Sequence, residues 1–267
     1  MEITFENNSR SKRLRSMLAV DMRRIFTMPL LYIMAGISLA IPILILVMTT
    51  MMDGSVTVDP NTSVETVMEG FDNTWQILGN MSGEGPGMDM SLTGMCNINM
   101  LYFLIAVLVC IFVSDDFRSG YSKNLFTARA VKSDYVISKS VVGFIGGAIM
   151  IMCFFVGAVL GGVFSSLSFD TGAAGISGIV TCLISKMMLV GIFVPIYLLM
   201  SVIFKGRLWL SVLLSFGVGM LLYNVVPMLS PLNSTVANVL ICSLTGVIFS
   251  VGLGALSNVI LKKTSLV

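Results

Sequence analysis

Six long apolar runs, near 29–52, 96–114, 138–163, 183–204, 208–227 and 236–260, alternate with more polar segments along this chain. At 1.5 Å per residue, about 18–20 apolar residues carry a helix across ~30 Å of hydrocarbon. The runs are continuous rather than alternating, which predicts helices and not the strands of a barrel. Upstream of the first run, Leu14, Met17, Leu18, Met22 and Ile25 recur at three- and four-residue spacing. That spacing predicts an amphipathic helix over 10–27. Arg13, Arg15, Arg23 and Arg24 flank its apolar stripe, ready for lipid phosphates or for a partner. Such a helix lies in the plane of the membrane interface, either as a topology anchor or as a docking element. Residues 1–9 are polar and expected to be mobile. The expected fold is therefore all-α: one domain, 1–267, of six transmembrane helices behind an interfacial helix.

The polar segments carry their own patterns. In the long 53–95 segment, Val64, Val67, Met68, Phe71, Trp75 and Leu78 predict a further amphipathic helix. Gly79 to Gly94, rich in glycine and holding Pro86, reads as irregular. Between the second and third runs, Asp115 and Asp116 are placed to cap a short helix over 117–127. Tyr121 and Leu125 then stack at i and i+4, while Arg118 and Lys123 stay open to acidic partners. Ser133-Asp134 marks the start of the next helix. A short amphipathic helix hung between two spans is either an ordinary loop or the part that passes force from a soluble motor to the membrane helices. The 224–235 segment, with Pro227 and Pro231, fits a broken helix and a capped turn equally. Gly143 and Gly147, and again Gly157 and Gly161, are four apart, and Gly252, Gly254 and Ala255 crowd the last run, which suits close helix packing.

Charge sets the orientation. The composition is 56% hydrophobic and 11% charged, with a mean hydropathy of +0.95. Of the 16 Lys and Arg, all but Lys186 lie in the arm before the first run, the 2–3 and 4–5 connections, the start of the third run and the tail. The 53–95 segment has no Lys or Arg but holds Asp53, Asp59, Glu65, Glu69, Asp72, Glu84 and Asp89. The positive-inside rule then puts both termini in the cytoplasm, and the basic balance reports topology, not nucleic-acid binding. Lys186 is expected to snorkel to the outer headgroups. His is absent, the commonest metal ligand and general base. Cys96, Cys110, Cys153, Cys182 and Cys242 form no C-x-x-C pair and read as small buried hydrophobes. No metal-ligand cluster and no nucleophile–base pair is present, so neither a hydrolase nor a proton-relay carrier is indicated.

At the 2–3 connection the residues resemble a family. The run Asp116-Phe-Arg-Ser-Gly-Tyr-Ser-Lys-Asn-Leu125, then Arg129 and Lys139, is similar to the first cytoplasmic loop of bacterial ABC-2 type transporter permeases. The basic N-terminal helix, the six spans and the long first outer loop match the same family; Ala128 departs from it, where a Pro is usual. The resemblance implies a transport subunit of the bacterial cytoplasmic membrane that dimerises with a second copy or a homologous permease and is not itself an enzyme. It would bind separate ATPase subunits, which use ATP and Mg²⁺, while this chain holds no cofactor; it has no G-x-x-x-x-G-K-[ST] phosphate loop. Asp116, Phe117, Arg118, Gly120, Tyr121, Lys123, Leu125 and Arg129 would form the ATPase-coupling element. Arg13, Leu14, Leu18, Arg23 and Arg24 would dock beside it. Gram-positive relatives export peptides, bacteriocins or drugs, so the expected cargo is an amphipathic peptide, drug or lipid-like molecule. The competing readings are a non-translocating immunity or sensor subunit that binds a peptide, and an ion-coupled carrier.

Overall fold

A computed structural model describes residues 2–58, 65–67, 70–79, 96–127, 131–205, 207–223 and 229–263. Its helices are α1 (Glu2–Thr27), α2 (Pro29–Met52), α3 (Leu101–Arg118), α4 (Tyr121–Thr127), α5 (Lys132–Phe164), α6 (Gly175–Phe204), α7 (Leu208–Tyr223) and α8 (Val236–Lys263). Five stretches are long and apolar enough to cross a membrane: Pro29–Met52, Ile98–Arg118, Lys132–Phe164, Gly175–Phe204 and Val236–Lys263. α7 is equally apolar but has 16 residues, which at 1.5 Å each gives about 24 Å.

α5 is the central element and lies against α1, α2, α3, α6 and α8. Its glycines make this possible. A Cβ on Gly161 would sit 2.9 Å from Ile43 Cα of α2, and one on Gly147 would sit 2.6 Å from Val190 Cγ1 of α6. Small residues thus let the backbones meet, as van der Waals packing in lipid requires. Pro42 is buried in the same seam, inside an unbroken α2. α8 buries Cys242, Gly246, Ser257 and Leu261 and leaves Leu244, Val247, Ile248 and Val251 exposed. An apolar exterior of this kind suits a lipid solvent.

One end of the bundle is roofed by the segment after α2. Asn73 caps a 3₁₀ turn, Thr74–Leu78, in a reciprocal capping box with Gln76. Phe71, Ile77 and Leu78 are buried beneath it. Trp75 Nε1 donates to Phe169 O at 3.2 Å, and Thr74 N to Ser168 O at 3.0 Å, tying the roof to the α5–α6 connection. The other end gathers α1, α4, the start of α5 and the end of α8. There Lys132 Nζ donates to Leu261 O at 2.6 Å.

Several local expectations are revised. The helix expected over 64–78 is absent from its described residues. Glu65–Val67 instead pairs antiparallel with Val56–Val58, and helical geometry is confined to the 3₁₀ turn. The β-branched Val and Thr residues of both strands favour extended backbone, and Gly70 is held by its N–H to Asp53 Oδ1 at 2.9 Å. Residues 80–94 of the expected irregular stretch lie outside the described residues. α1 starts at Glu2, so the helix is longer than the expected 10–27. Asp115 and Asp116 are not caps: they form the last turn of α3, and the break comes at Gly120, whose φ is +74°. α5 begins at Lys132, with Asp134 in its first turn, where a carboxylate favours the helix dipole. In the 224–235 segment, 224–228 lie outside the described residues, and the rest ends in a turn closed by Thr235 N on Asn238 Oδ1.

Candidate functional site

Where α1, α3 and α5 converge beneath α4, four charged side chains close on one another. Asp21 and Arg24 come from α1, one helical turn apart, so both face α5. Asp116 comes from the last turn of α3 and Lys139 from the third turn of α5. Lys139 Nζ lies 2.7 Å from Asp116 Oδ2 and 2.9 Å from Asp21 Oδ1. Arg24 Nη1 lies 2.7 Å from Asp116 Oδ1 and 3.8 Å from Asp21 Oδ1. Tyr135 OH donates to Asp116 Oδ2 at 3.0 Å and Ser138 Oγ to Asp21 Oδ2 at 2.6 Å. Asp21, Asp116, Tyr135, Ser138 and Lys139 are all buried.

Two acids and two bases make the cluster neutral, and two hydroxyls take up further carboxylate lone pairs. A buried ion group is tolerable only under those conditions. Aromatic faces complete the shell: Lys139 Nζ stands 3.9 Å from the Phe112 ring centroid, and the Arg24 guanidinium 4.3 Å from that of Tyr121. Burial works against the Arg24 charge, but Asp116, with Tyr121 and Asp21 behind it, holds the guanidinium above its ordinary value. Burial, reinforced by the Asp21 carboxylate, pushes the Tyr121 phenol up. Tyr121 opens α4, so this ring seats the short helix on the ion cluster.

The proposed coupling residues divide by environment. Asp116 is buried in the cluster, and Phe117 is half-buried, edge-on to Tyr135 at 6.5 Å. Leu125 and Phe126 pack on a small core of Tyr135, Val136, Leu198, Val202 and Leu261. Arg118 and Lys123 are exposed, as are Ser119, Asn124 and Thr127. Arg129 lies outside the described residues. Among the docking residues, Leu18 packs on the main core, Leu14 is half-buried and Arg23 is exposed. Arg13 is exposed and its Nε lies 3.6 Å from Asp134 Oδ2. Arg24 points inward rather than to headgroups. The apolar stripe of α1 likewise meets protein: Ile25 is buried, and a Cβ on Gly146 of α5 would lie 3.2 Å from its Cδ1.

Asp21, Tyr135 and Ser138 escaped the reading of the sequence. The available signal was Asp21 itself, a lone acid within the apolar stripe of a basic helix. Lys186 differs from expectation outright. It does not snorkel: it is buried, with Nζ 3.0 Å from Asn99 Oδ1 and 3.1 Å from Ser230 Oγ. Neutral acceptors already present at that depth remove the need to reach the headgroups. No family model, no curated protein and no solved structure matches this chain.

Proposed function

We propose that this chain is the membrane-spanning permease subunit of an ATP-driven exporter of the ABC-2 type, moving an amphipathic peptide, drug or lipid-like cargo out of the cell or its membrane. The observation that carries the reading is the Asp21–Arg24–Asp116–Lys139 cluster. It locks α1, α3 and α5 into one block and seats α4 on that block through Tyr121. A push on α4 would then move two long spanning helices together rather than bend a loop. Lys123 on the exposed side of α4, Arg118 at the end of α3 and Arg23 of α1 offer a basic polar face to an acidic cleft of a partner.

In this reading the shorter α7 also crosses, as the fifth of six spans, both termini are cytoplasmic and α4 faces the cytoplasm. The chain contributes no nucleotide site; separate ATPase subunits supply the hydrolysis, and two permease chains enclose the path. The resemblance over Asp116–Leu125 and the charge bias support the same assignment.

The test is purification of the tagged chain from its native membrane, with a photo-crosslinker at Lys123. The expected result is an ATPase carrying a phosphate-binding loop, crosslinked at that position and released when Arg118 and Lys123 are both made Glu. Uphill transport by the purified chain alone, without ATP, would overturn the reading in favour of an ion-coupled carrier.

A further inference from the structure

Lys186 is a buried cation far from the basic end. Of its three N–H donors, two are taken by Asn99 Oδ1 and Ser230 Oγ. The Tyr102 hydroxyl donates to the Lys186 carbonyl at 2.9 Å, so it adds no negative charge. Cys182 and Cys242 are buried in the same core. Among the described residues no carboxylate pairs with this ammonium. The contrast with Lys139 is direct: there two carboxylates lie within 3 Å. A lone charge in a low-dielectric interior is costly, and in membrane proteins such a group marks a ligand or ion site by default.

The surroundings limit what the ligand can be. Asn99 sits in a one-turn 3₁₀ helix before α3, and Ser230 in the turn before α8, so the cation is held under connecting segments rather than between two long helices. Among the described residues this ammonium has no counter-charge and two acceptors for its three N–H groups, which matches a single negative charge; a phosphate dianion would leave an excess. Val180 and Ile184 on α6, and Leu240, Ile241 and Leu244 on α8, the helix packed against it, are exposed apolar residues. A ligand that approaches through this apolar exterior carries a hydrocarbon body. We infer that Lys186, with Asn99 and Ser230, forms a binding site for the carboxylate of an amphipathic ligand, which displaces one of the neutral oxygens and supplies the missing counter-charge. A fatty acid and the free C-terminus of an apolar peptide present the same group. The inference concerns binding and stands whether or not the chain works with an ATPase.

The experiment compares acid and neutral analogues on the purified full chain in nanodiscs of neutral lipid. One arm sets dodecanoate against dodecanol; the other sets a short apolar peptide with a free C-terminus against its C-terminal amide. The acid is expected to bind at least about tenfold tighter in one arm or both, and the arm identifies the source of the carboxylate. Lys186→Gln removes the cation, and Ser230→Asp installs a resident carboxylate; each is expected to abolish the acid preference. Ser230→Asp retains the lysine and so covers the case in which Lys186→Gln does not assemble. No preference for the acid in either arm, or a preference that persists in the variants, overturns the inference.

Discussion

Lys139 Nζ stands 2.7 Å from Asp116 Oδ2, with both side chains fully buried and carried by different spanning helices. The pair cannot be judged alone, because Asp21 and Arg24 of α1 balance it to neutrality. Lys139→Met is therefore expected to leave one negative charge uncompensated in the interior, at a cost of about 3–5 kcal/mol. Adding Asp21→Asn restores neutrality through the remaining Arg24–Asp116 contact. The double variant should accordingly unfold at higher denaturant than Lys139→Met alone. Mixed-micelle unfolding curves of the three proteins measure this. A single variant as stable as wild type would show that the charges are solvated, not buried.

Gly120 separates α3 from α4 at φ +74°, and a Cβ there would meet nothing within 4 Å. Any penalty on substitution is then backbone strain, about 1–2 kcal/mol for a β-branched residue in the left-handed region. Gly120→Val should leave the bundle assembled while changing the angle at which α4 leaves α3. Under the proposed function, cargo-stimulated ATP turnover of the assembled complex should fall sharply in this variant. Unchanged turnover would mean that α4 does not transmit the stroke.

Five of the six apolar runs were legible as helices long enough to cross a membrane, because long apolar runs have one solution in lipid; the run at 208–227 gives only the 16-residue α7. The limits of α2 coincide with the run read at 29–52, since Pro29 and Asp53 punctuate both ends. The glycine pairs of α5 were legible for a similar reason: four-residue spacing puts them on one face, and that face meets α2 and α6. The ion cluster was not. Its members are separated by up to 118 residues, as between Asp21 and Lys139, and an acid beside the arginines of α1 looks like ordinary surface charge until its partners are known. The roof over the bundle misled because the positions of Phe71, Trp75 and Leu78 fit a helical period. Asn73 starts its capped turn within that pattern, and the rest of the segment takes its geometry from β-branched pairing and tertiary hydrogen bonds. Asn99 and Ser230, the acceptors that hold Lys186, are 87 and 44 residues away in the chain, so its local sequence points only to the headgroups.

The Tyr121 phenol, raised by burial and by the Asp21 carboxylate, provides a pH signature for the seat of α4. A folded-state value above the ordinary 10.0 means that the native chain holds this proton more tightly than the unfolded chain. Its contribution to stability is fully present below about pH 10 and is lost as pH rises through the higher folded value. Tyr121→Phe keeps the ring beneath Arg24 but has no proton to lose. The variant is expected to show a shallower loss of stability than wild type above about pH 10. Melting temperature followed from pH 8 to 11 reports the difference. Parallel curves would place the phenol in free solvent.

The two ends of the bundle also make opposite predictions for labelling. Asp72 lies in the acidic segment that roofs one end, and Lys123 lies on α4 at the basic end; both are exposed. Cation-rich segments are retained on the cytoplasmic side during insertion, so the ends should differ in access from outside the cell. With the five native cysteines replaced by Ala, Asp72→Cys is expected to react with a membrane-impermeant maleimide on intact cells. Lys123→Cys should react only after permeabilisation. Replacement of Cys110, Cys182 and Cys242 removes buried sulfur, so assembly of the background is checked first by gel filtration. Labelling in the reverse order would invert the bundle, put α4 outside and remove the basis for a cytoplasmic ATPase acting on it.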